Sequence, residues 1–156
     1  MEMKILWFGA IFLGGWIWAY LFIRQFLFNI RVATPLVNGM KKADENLIAP
    51  GAGKYTGVSI GICLFFTLIG CAVILLFCRT YLIIGYFIGF LCAAVMVFFR
   101  MSPENRSMFD AFCVTYYRFV PDDELRTAMY NKKPSQMKQR LHAMGVSTAF
   151  IPSFEK

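Results

Sequence analysis

Apolar residues gather into three long blocks that short polar segments separate. The blocks run from Ile5 to Ile23, from Tyr55 to Cys78 and from Thr80 to Phe99. Each has about 20 residues, the length at which a helix crosses the hydrocarbon core of a bilayer. Arg79 is the only charge between the start of the second block and the end of the third. We therefore predict three transmembrane helices, of which the last two form a tight hairpin with Arg79 in its turn.

The first block also invites comparison with a cleavable secretory signal. Such a signal has a shorter apolar core and a small-residue cleavage site. The bulky residues Trp16, Trp18 and Tyr20 stand near the end of the block, where that site would be needed. We predict that the first span is retained, and cleavage is the alternative.

The segments outside the blocks predict short amphipathic helices. Ser102-Pro-Glu-Asn105 has residue types that start helices, and aromatic residues follow at helical spacing through 103–119. The acids of Asp122-Asp-Glu124 suit the first turn of a second helix. Ser135 is the expected cap of a third helix, which Gly145 ends. The first and third helices carry apolar stripes, formed by Phe109, Phe112 and Tyr116 and by Met137, Leu141 and Met144.

The predicted fold is an all-α integral membrane protein: three transmembrane helices and a short helical cytoplasmic tail. Within the polar segment before the second block, a short surface helix is expected between Leu36 and Leu47, and Gly51-Ala-Gly-Lys54 predicts a flexible linker. The expected parts are a first transmembrane helix at 1–33, a cytoplasmic loop at 34–54, the transmembrane hairpin at 55–101 and an amphipathic helical tail at 102–156.

Charge orients the predicted spans. Hydrophobic residues make up 58% of the chain and charged residues 16%, against about 25% charged in an average soluble domain. Three spans place Lys4 and Arg79 on one side and the other 14 of the 16 lysines and arginines on the other. Because basic loops stay in the cytoplasm, we predict an external N-terminus and a cytoplasmic tail, in a bacterial inner (plasma) membrane. The net charge of +7 is then expected to contact anionic lipid and not nucleic acid.

Small residues recur along both helices of the predicted hairpin. Small side chains let helix backbones approach closely, so we predict a packing face within the hairpin, against the first span, or against another protein or a second copy. A polar path for a substrate is a further interpretation, but none of the three blocks carries an ionisable residue at midplane depth. The predicted helix-packing or oligomer-interface residues are Gly57, Ser59, Gly61, Cys63, Thr67, Cys71, Gly85, Gly89 and Ala93.

Few residues have the spacing that catalysis or metal binding needs. The Gly51–Lys54 segment lacks the first glycine of a phosphate loop, where Ile48 stands, and Tyr55 replaces the Ser or Thr after its lysine. The five cysteines include no CxxC pair, and His142 is the only histidine. Asp122–Glu124 suits a helix start better than an acid–base pair. We expect no catalytic residues, no cofactor and no metal.

These patterns favour a non-enzymatic integral membrane subunit that assembles with other membrane or cytoplasmic proteins in a larger complex. In architecture alone, the layout is similar to small inner-membrane subunits of bacterial secretion and conjugation machines, with an extra first span. A homo-oligomeric pore or small transporter-like protein lined by Ser59, Thr67 and cysteines is the alternative, and a membrane enzyme using Asp122–Glu124 or His142 comes third. Expected partners are membrane lipid, other membrane subunits or a second copy, and a cytoplasmic protein. The residues expected to dock that protein are Phe109, Phe112, Tyr116, Met137, Leu141 and Met144.

Overall fold

Seven α-helices run through residues 2–154, the part of the chain that the computed structural model describes, and no strand occurs there. Three helical stretches, Lys4–Ala43, Gly51–Phe77 and Thr80–Arg100, are long and apolar enough to cross a membrane. The predicted all-α class is therefore confirmed, with three candidate spans. The helices are α1 (Glu2–Phe28), α2 (Thr34–Ala43), α3 (Gly51–Phe77), α4 (Thr80–Arg100), α5 (Arg106–Tyr116), α6 (Asp123–Tyr130) and α7 (Pro134–Ala143).

Helices α3 and α4 are joined by a turn of two residues, Cys78 and Arg79. The Cys78 N–H donates to the Ile74 carbonyl at 3.1 Å, and the Leu82 N–H donates to the Arg79 carbonyl at 2.9 Å. The chain thus reverses at the charge that the sequence singled out. Helix α3 begins earlier than expected, because the glycine-rich segment that ends at Lys54 forms its first turn and not a flexible linker.

Helix α1 continues into α2 through a π-helical turn, Asn29–Ala33. Pro35 follows this turn, in the first turn of α2. Proline has no N–H, and its ring crowds the carbonyl four residues earlier, so a continuous helix must widen before it. Here the Thr34 N–H reaches back to the Asn29 carbonyl, and the Thr34 hydroxyl donates to the same oxygen at 2.8 Å. The short helix predicted between Leu36 and Leu47 is present as α2, which begins two residues earlier, at Thr34, and ends four residues earlier, at Ala43.

The described residues fall into two compact units. The apolar unit combines Met1–Leu27 with Ser59–Arg100, and the tail unit combines Phe28–Val58 with Met101–Lys156. The tail unit is therefore built from two segments that lie on either side of residues 59–100 in the sequence. The helical tail predicted at 102–156 is only part of it.

The apolar unit turns large hydrophobic side chains outward. Leu6 is 73% exposed, Leu76 77% and Phe99 81%. Inside this unit α1 contacts α3, since the Phe22 and Phe66 rings stack with centroids 5.4 Å apart. An outer surface of this kind suits hydrocarbon and not water.

The tail unit has a hydrophobic core of its own. A fully buried aromatic group from α5 stacks within it, with the Phe112 and Tyr116 ring centroids 4.8 Å apart. The other segment reaches the same core, because the Ala49 N–H donates to the Phe119 carbonyl at 2.7 Å. The largest fully buried side chains of the tail unit are Tyr116, Phe109, Phe112, Met40, Leu47, Ile48, Leu125, Met129, Met137 and Leu141.

Candidate functional site

The small residues of α4 lie directly against α1. A Cβ on Gly89 would overlap the Phe12 carbonyl oxygen, and a Cβ on Gly85 would lie 2.9 Å from the Phe8 ring. Ala93, one turn further on, is completely buried. Two helix backbones can approach this closely only at glycine, whose side chain is a single hydrogen atom. This face of α4 is therefore covered by α1.

The matching residues on α1 were missed by the sequence reasoning. A Cβ on Gly15 would overlap the Tyr86 carbonyl oxygen of α4, and Ala19 is completely buried. Gly15 and Ala19 are four residues apart, which is the small-xxx-small spacing of close helix pairs. That spacing was a signal available in the first apolar block.

The small residues of α3 do not form one packed face. A Cβ on Gly57 or Gly61 would meet no atom within 4 Å, whereas Cys63 is buried. The Thr67 hydroxyl donates to the Cys63 carbonyl of its own helix at 2.8 Å. Ser59 and Cys71 are partly exposed. The glycine pair is thus left open, and the Thr67 hydroxyl is held by its own backbone.

The residues expected to dock a cytoplasmic protein lie mainly inside the tail unit. Phe109, Phe112, Tyr116, Met137 and Leu141 are each at most 1% exposed, and Met144 is 39% exposed. Helical spacing identifies a face that must be covered, but not what covers it. In this protein the face is covered by the chain itself, and Met144 remains at the surface.

The densest acidic segment forms a clamp between α6 and α7. The Asp122 carboxylate accepts the Leu125 N–H at 2.7 Å and so caps α6. The Arg140 guanidinium donates to both Asp122 oxygens at 3.1 and 2.7 Å, and a third nitrogen lies 2.8 Å from a Glu124 oxygen. The hydrogen bonds from Arg140 lower the pKa of Asp122, with a further contribution from the Leu125 N–H. A carboxylate held ionised in this way suits structure better than proton transfer.

A cavity of about 460 Å³, with both charged and apolar lining residues, opens between the end of α2 and the start of α3. Neither Lys41 nor Lys42 forms an ion pair with any residue between 4 and 154. The Lys41 ammonium lies 3.5 Å from the position that a Cβ on Gly53 would take. The residues that line the cavity are Asn38, Lys41, Lys42, Glu45, Ile48 and Pro50.

No three His, Cys, Asp or Glu side chains between residues 4 and 154 are grouped so as to hold a metal ion. His142 is exposed on α7. The buried thiol of Cys113 lies 4.0 Å from the Met137 sulfur, and burial raises its pKa to about 12. A thiol with that pKa is protonated at neutral pH and is a poor nucleophile.

Comparison with known proteins adds no assignment to these features. No protein-family model matches the chain, and no curated protein or solved structure matches it significantly.

Proposed function

We propose that the chain is a non-enzymatic integral membrane subunit that assembles with other proteins in a larger complex. The observation that carries the proposal is the composition of the tail unit, which joins residues before 59 with residues after 100. A folded unit with a polar surface lies on one side of a bilayer. Residues 59–100 must therefore leave that side and return to it, as a hairpin of two spans does.

The orientation of this arrangement follows from charge. Lysines and arginines concentrate in the two segments of the tail unit, whereas the α3–α4 turn carries Arg79 alone. Basic segments stay in the cytoplasm, so the tail unit faces the cytoplasm and the turn faces outward. With α1 as a third span, the N-terminus is external.

The assembly surface is the open face of α3 at Gly61. The small residues of α4 are covered by α1, but Gly61 has no neighbour within 4 Å of its Cβ position. Ile62 beside it is 50% exposed. An open glycine on a helix surface lets the backbone of another transmembrane helix approach closely, which supports a partner subunit or a second copy at this place.

Cysteine labelling tests the orientation. In a variant with the five natural cysteines replaced, Asn46→Cys and Ser153→Cys are introduced singly at exposed positions of the tail unit, and Arg79→Cys at the turn. An impermeant maleimide applied to intact cells should label only the turn, and permeabilisation should make the other two react. Labelling of Asn46→Cys and Ser153→Cys on opposite sides of the membrane contradicts the proposal.

Native gel electrophoresis of gently solubilised membranes tests the assembly. The wild-type chain should migrate in a species larger than its monomer, and Gly61→Leu should shift it to the monomer. Gly14→Leu on α1 is the matched control, since a Cβ there also meets nothing within 4 Å. A larger species that survives Gly61→Leu, or is absent from the wild type, removes the assembly surface.

A further inference from the structure

We propose that the cavity between α2 and α3 binds the phosphoryl group of an anionic membrane phospholipid. This inference rests on the proposed membrane insertion and assigns a lipid site to it. The cavity lies entirely in residues 38–50, within the first segment of the tail unit. Its lysines are the main evidence.

Two lysines, Lys41 and Lys42, line this cavity. No salt bridge to either is formed by residues 4–154, whose side chains the structure describes. One carboxylate, that of Glu45, also lines the cavity, but it is exposed and leaves an excess of one positive charge. The Asn38 side chain adds an amide that can donate hydrogen bonds.

The position of Lys41 also favours a bound anion. Its ammonium lies beside Gly53, in the first turn of α3. The first turn of a helix carries partial positive charge from its free N–H groups, so an ammonium placed there is repelled. Because Lys41 also lines the cavity, an anion bound there would offset this repulsion.

The place of the cavity along α3 favours a lipid source for that anion. Pro50 lines the cavity, and α3 begins at the next residue, Gly51, and continues into the proposed span that starts at residue 59. The two lysines therefore belong to the basic segment that precedes a proposed span on its cytoplasmic side. Basic residues in such segments bind anionic headgroups.

Native mass spectrometry of the full chain tests the proposal. The protein is released from mixed micelles of phosphatidylcholine and phosphatidylglycerol, with and without millimolar inorganic phosphate. The wild type should retain phosphatidylglycerol selectively. Lys41→Gln/Lys42→Gln should lower the retained fraction of phosphatidylglycerol roughly tenfold or more, since each basic group raises the affinity for an anionic lipid about five- to tenfold.

Two variants serve as controls. Lys133→Gln/Lys138→Gln removes the same charge from the tail unit outside the cavity and should retain the lipid. Lys41→Arg/Lys42→Arg keeps the charge and should retain it as well, which guards against a simple folding defect. Equal loss in both glutamine variants would mean general charge attraction and would overturn the site.

Inorganic phosphate separates the two sources of the anion. Displacement of phosphatidylglycerol only at high phosphate supports the lipid site, whereas binding of phosphate with no retained phosphatidylglycerol overturns it. The cysteine labelling described above reports membrane insertion independently of lipid retention. Correct labelling with no retained lipid therefore rejects this site alone, and failed labelling rejects the proposed function.

Discussion

The Tyr116 hydroxyl donates a hydrogen bond to the Thr56 hydroxyl across 2.8 Å in the core of the tail unit. The direction follows from proton count, because the single Thr56 hydroxyl proton is already given to the Ala52 carbonyl at 2.9 Å. This bond ties the second turn of α3 to the last turn of α5. It joins two residues that are 60 positions apart in the sequence.

Removing either partner of this bond should destabilise the tail unit unequally. Thr56→Val leaves the buried Tyr116 donor unpaired and should cost about 2 kcal/mol, whereas Tyr116→Phe leaves only an acceptor lone pair and should cost about 1 kcal/mol. The double variant should be less destabilised than the sum of the two. Thermal unfolding in mild detergent measures the loss of stability in the three variants. The signal is the reaction of a thiol-reactive dye with Cys113, which becomes exposed on unfolding. Additive losses would show that the two hydroxyls are not coupled.

The Cys113 thiol should resist modification while the tail unit is folded. It is completely buried, and burial raises its pKa to about 12, so the thiolate is scarce at pH 8. Labelling by a maleimide should be slower by about two orders of magnitude or more than in a Val114→Cys/Cys113→Ala variant. Val114 is the adjacent position on α5 and is 39% exposed. Comparable rates at both positions contradict the burial of Cys113.

The same thiol gives the tail unit a dependence on alkaline pH. A thiol with a raised folded pKa holds its proton in the folded state when the unfolded state has lost it. Its contribution to stability is complete below about pH 9 and falls by up to about 1.4 kcal/mol per pH unit until about pH 12. Unfolding midpoints of the wild type and Cys113→Ala, followed by circular dichroism, should diverge over that range. Parallel curves would show that Cys113 has an ordinary pKa.

Asp122 should make the tail unit sensitive to acid. Its pKa is lowered by the Arg140 hydrogen bonds, so the stability that it contributes is present above its unfolded pKa of about 3.9 and is lost as the pH falls through the lower folded value. Asp122→Asn keeps the cap but loses the charge. In this variant the unfolding midpoint should fall less as the pH is lowered, so that this acid limb of the curve is flatter. Asp122→Ala also loses the cap, at about 1 kcal/mol more. Asp123→Asn, at a position 90% exposed, is the control and should retain the limb.

Gly89 should tolerate no side chain. Gly89→Ala places a methyl group on the Phe12 carbonyl oxygen and should cost about 1–3 kcal/mol through separation of α1 and α4. Gly61→Ala meets nothing and should leave stability unchanged or slightly raised. All three tryptophans lie on α1, so their fluorescence during titration with a denaturing detergent follows this packing. Equal midpoints for the two variants would remove the close contact.

The helices were largely predictable, because charges and caps mark their ends. Arg79 and Arg100 bound the apolar run of α4, and Asp122 caps α6 as its position predicts. Gly145 adopts a φ of 72° after α7, the conformation that makes glycine a helix stop. Local chemistry was sufficient at each of these places.

Two helix starts were predicted wrongly where several candidates compete. The Asn105 side chain, and not that of Ser102, caps α5 by accepting the Ser107 N–H at 3.0 Å, while the Ser102 hydroxyl accepts the Glu104 N–H at 3.3 Å. Helix α7 begins at Pro134 without a side-chain cap, so Ser135 lies inside its first turn. A proline suits the first helical position because its missing N–H costs nothing there.

What covers the aromatic stripe of α5 could not be read from the sequence. The spacing of Phe109, Phe112 and Tyr116 is the same whether lipid, a partner or the chain itself lies on it. The cover comes in part from residues near the start of α3, such as Tyr55, whose ring lies 5.7 Å from that of Tyr116. Contacts across about 60 residues leave no periodic signal in either segment. For the same reason the lysine cavity, which depends on how α2 turns toward α3, was not predicted as a site.

The divided origin of the tail unit orders the events of its synthesis. Its first segment leaves the ribosome with Ala49 and Thr56, whose partners Phe119 and Tyr116 are translated only after residues 59–100. At about 5–20 residues per second, that delay lasts several seconds. Under the proposed function, the hairpin enters the bilayer during this time. The unit closes only when both of its segments have ended on the same side, so a chain whose hairpin inserts wrongly keeps an exposed apolar face that chaperones and proteases recognise.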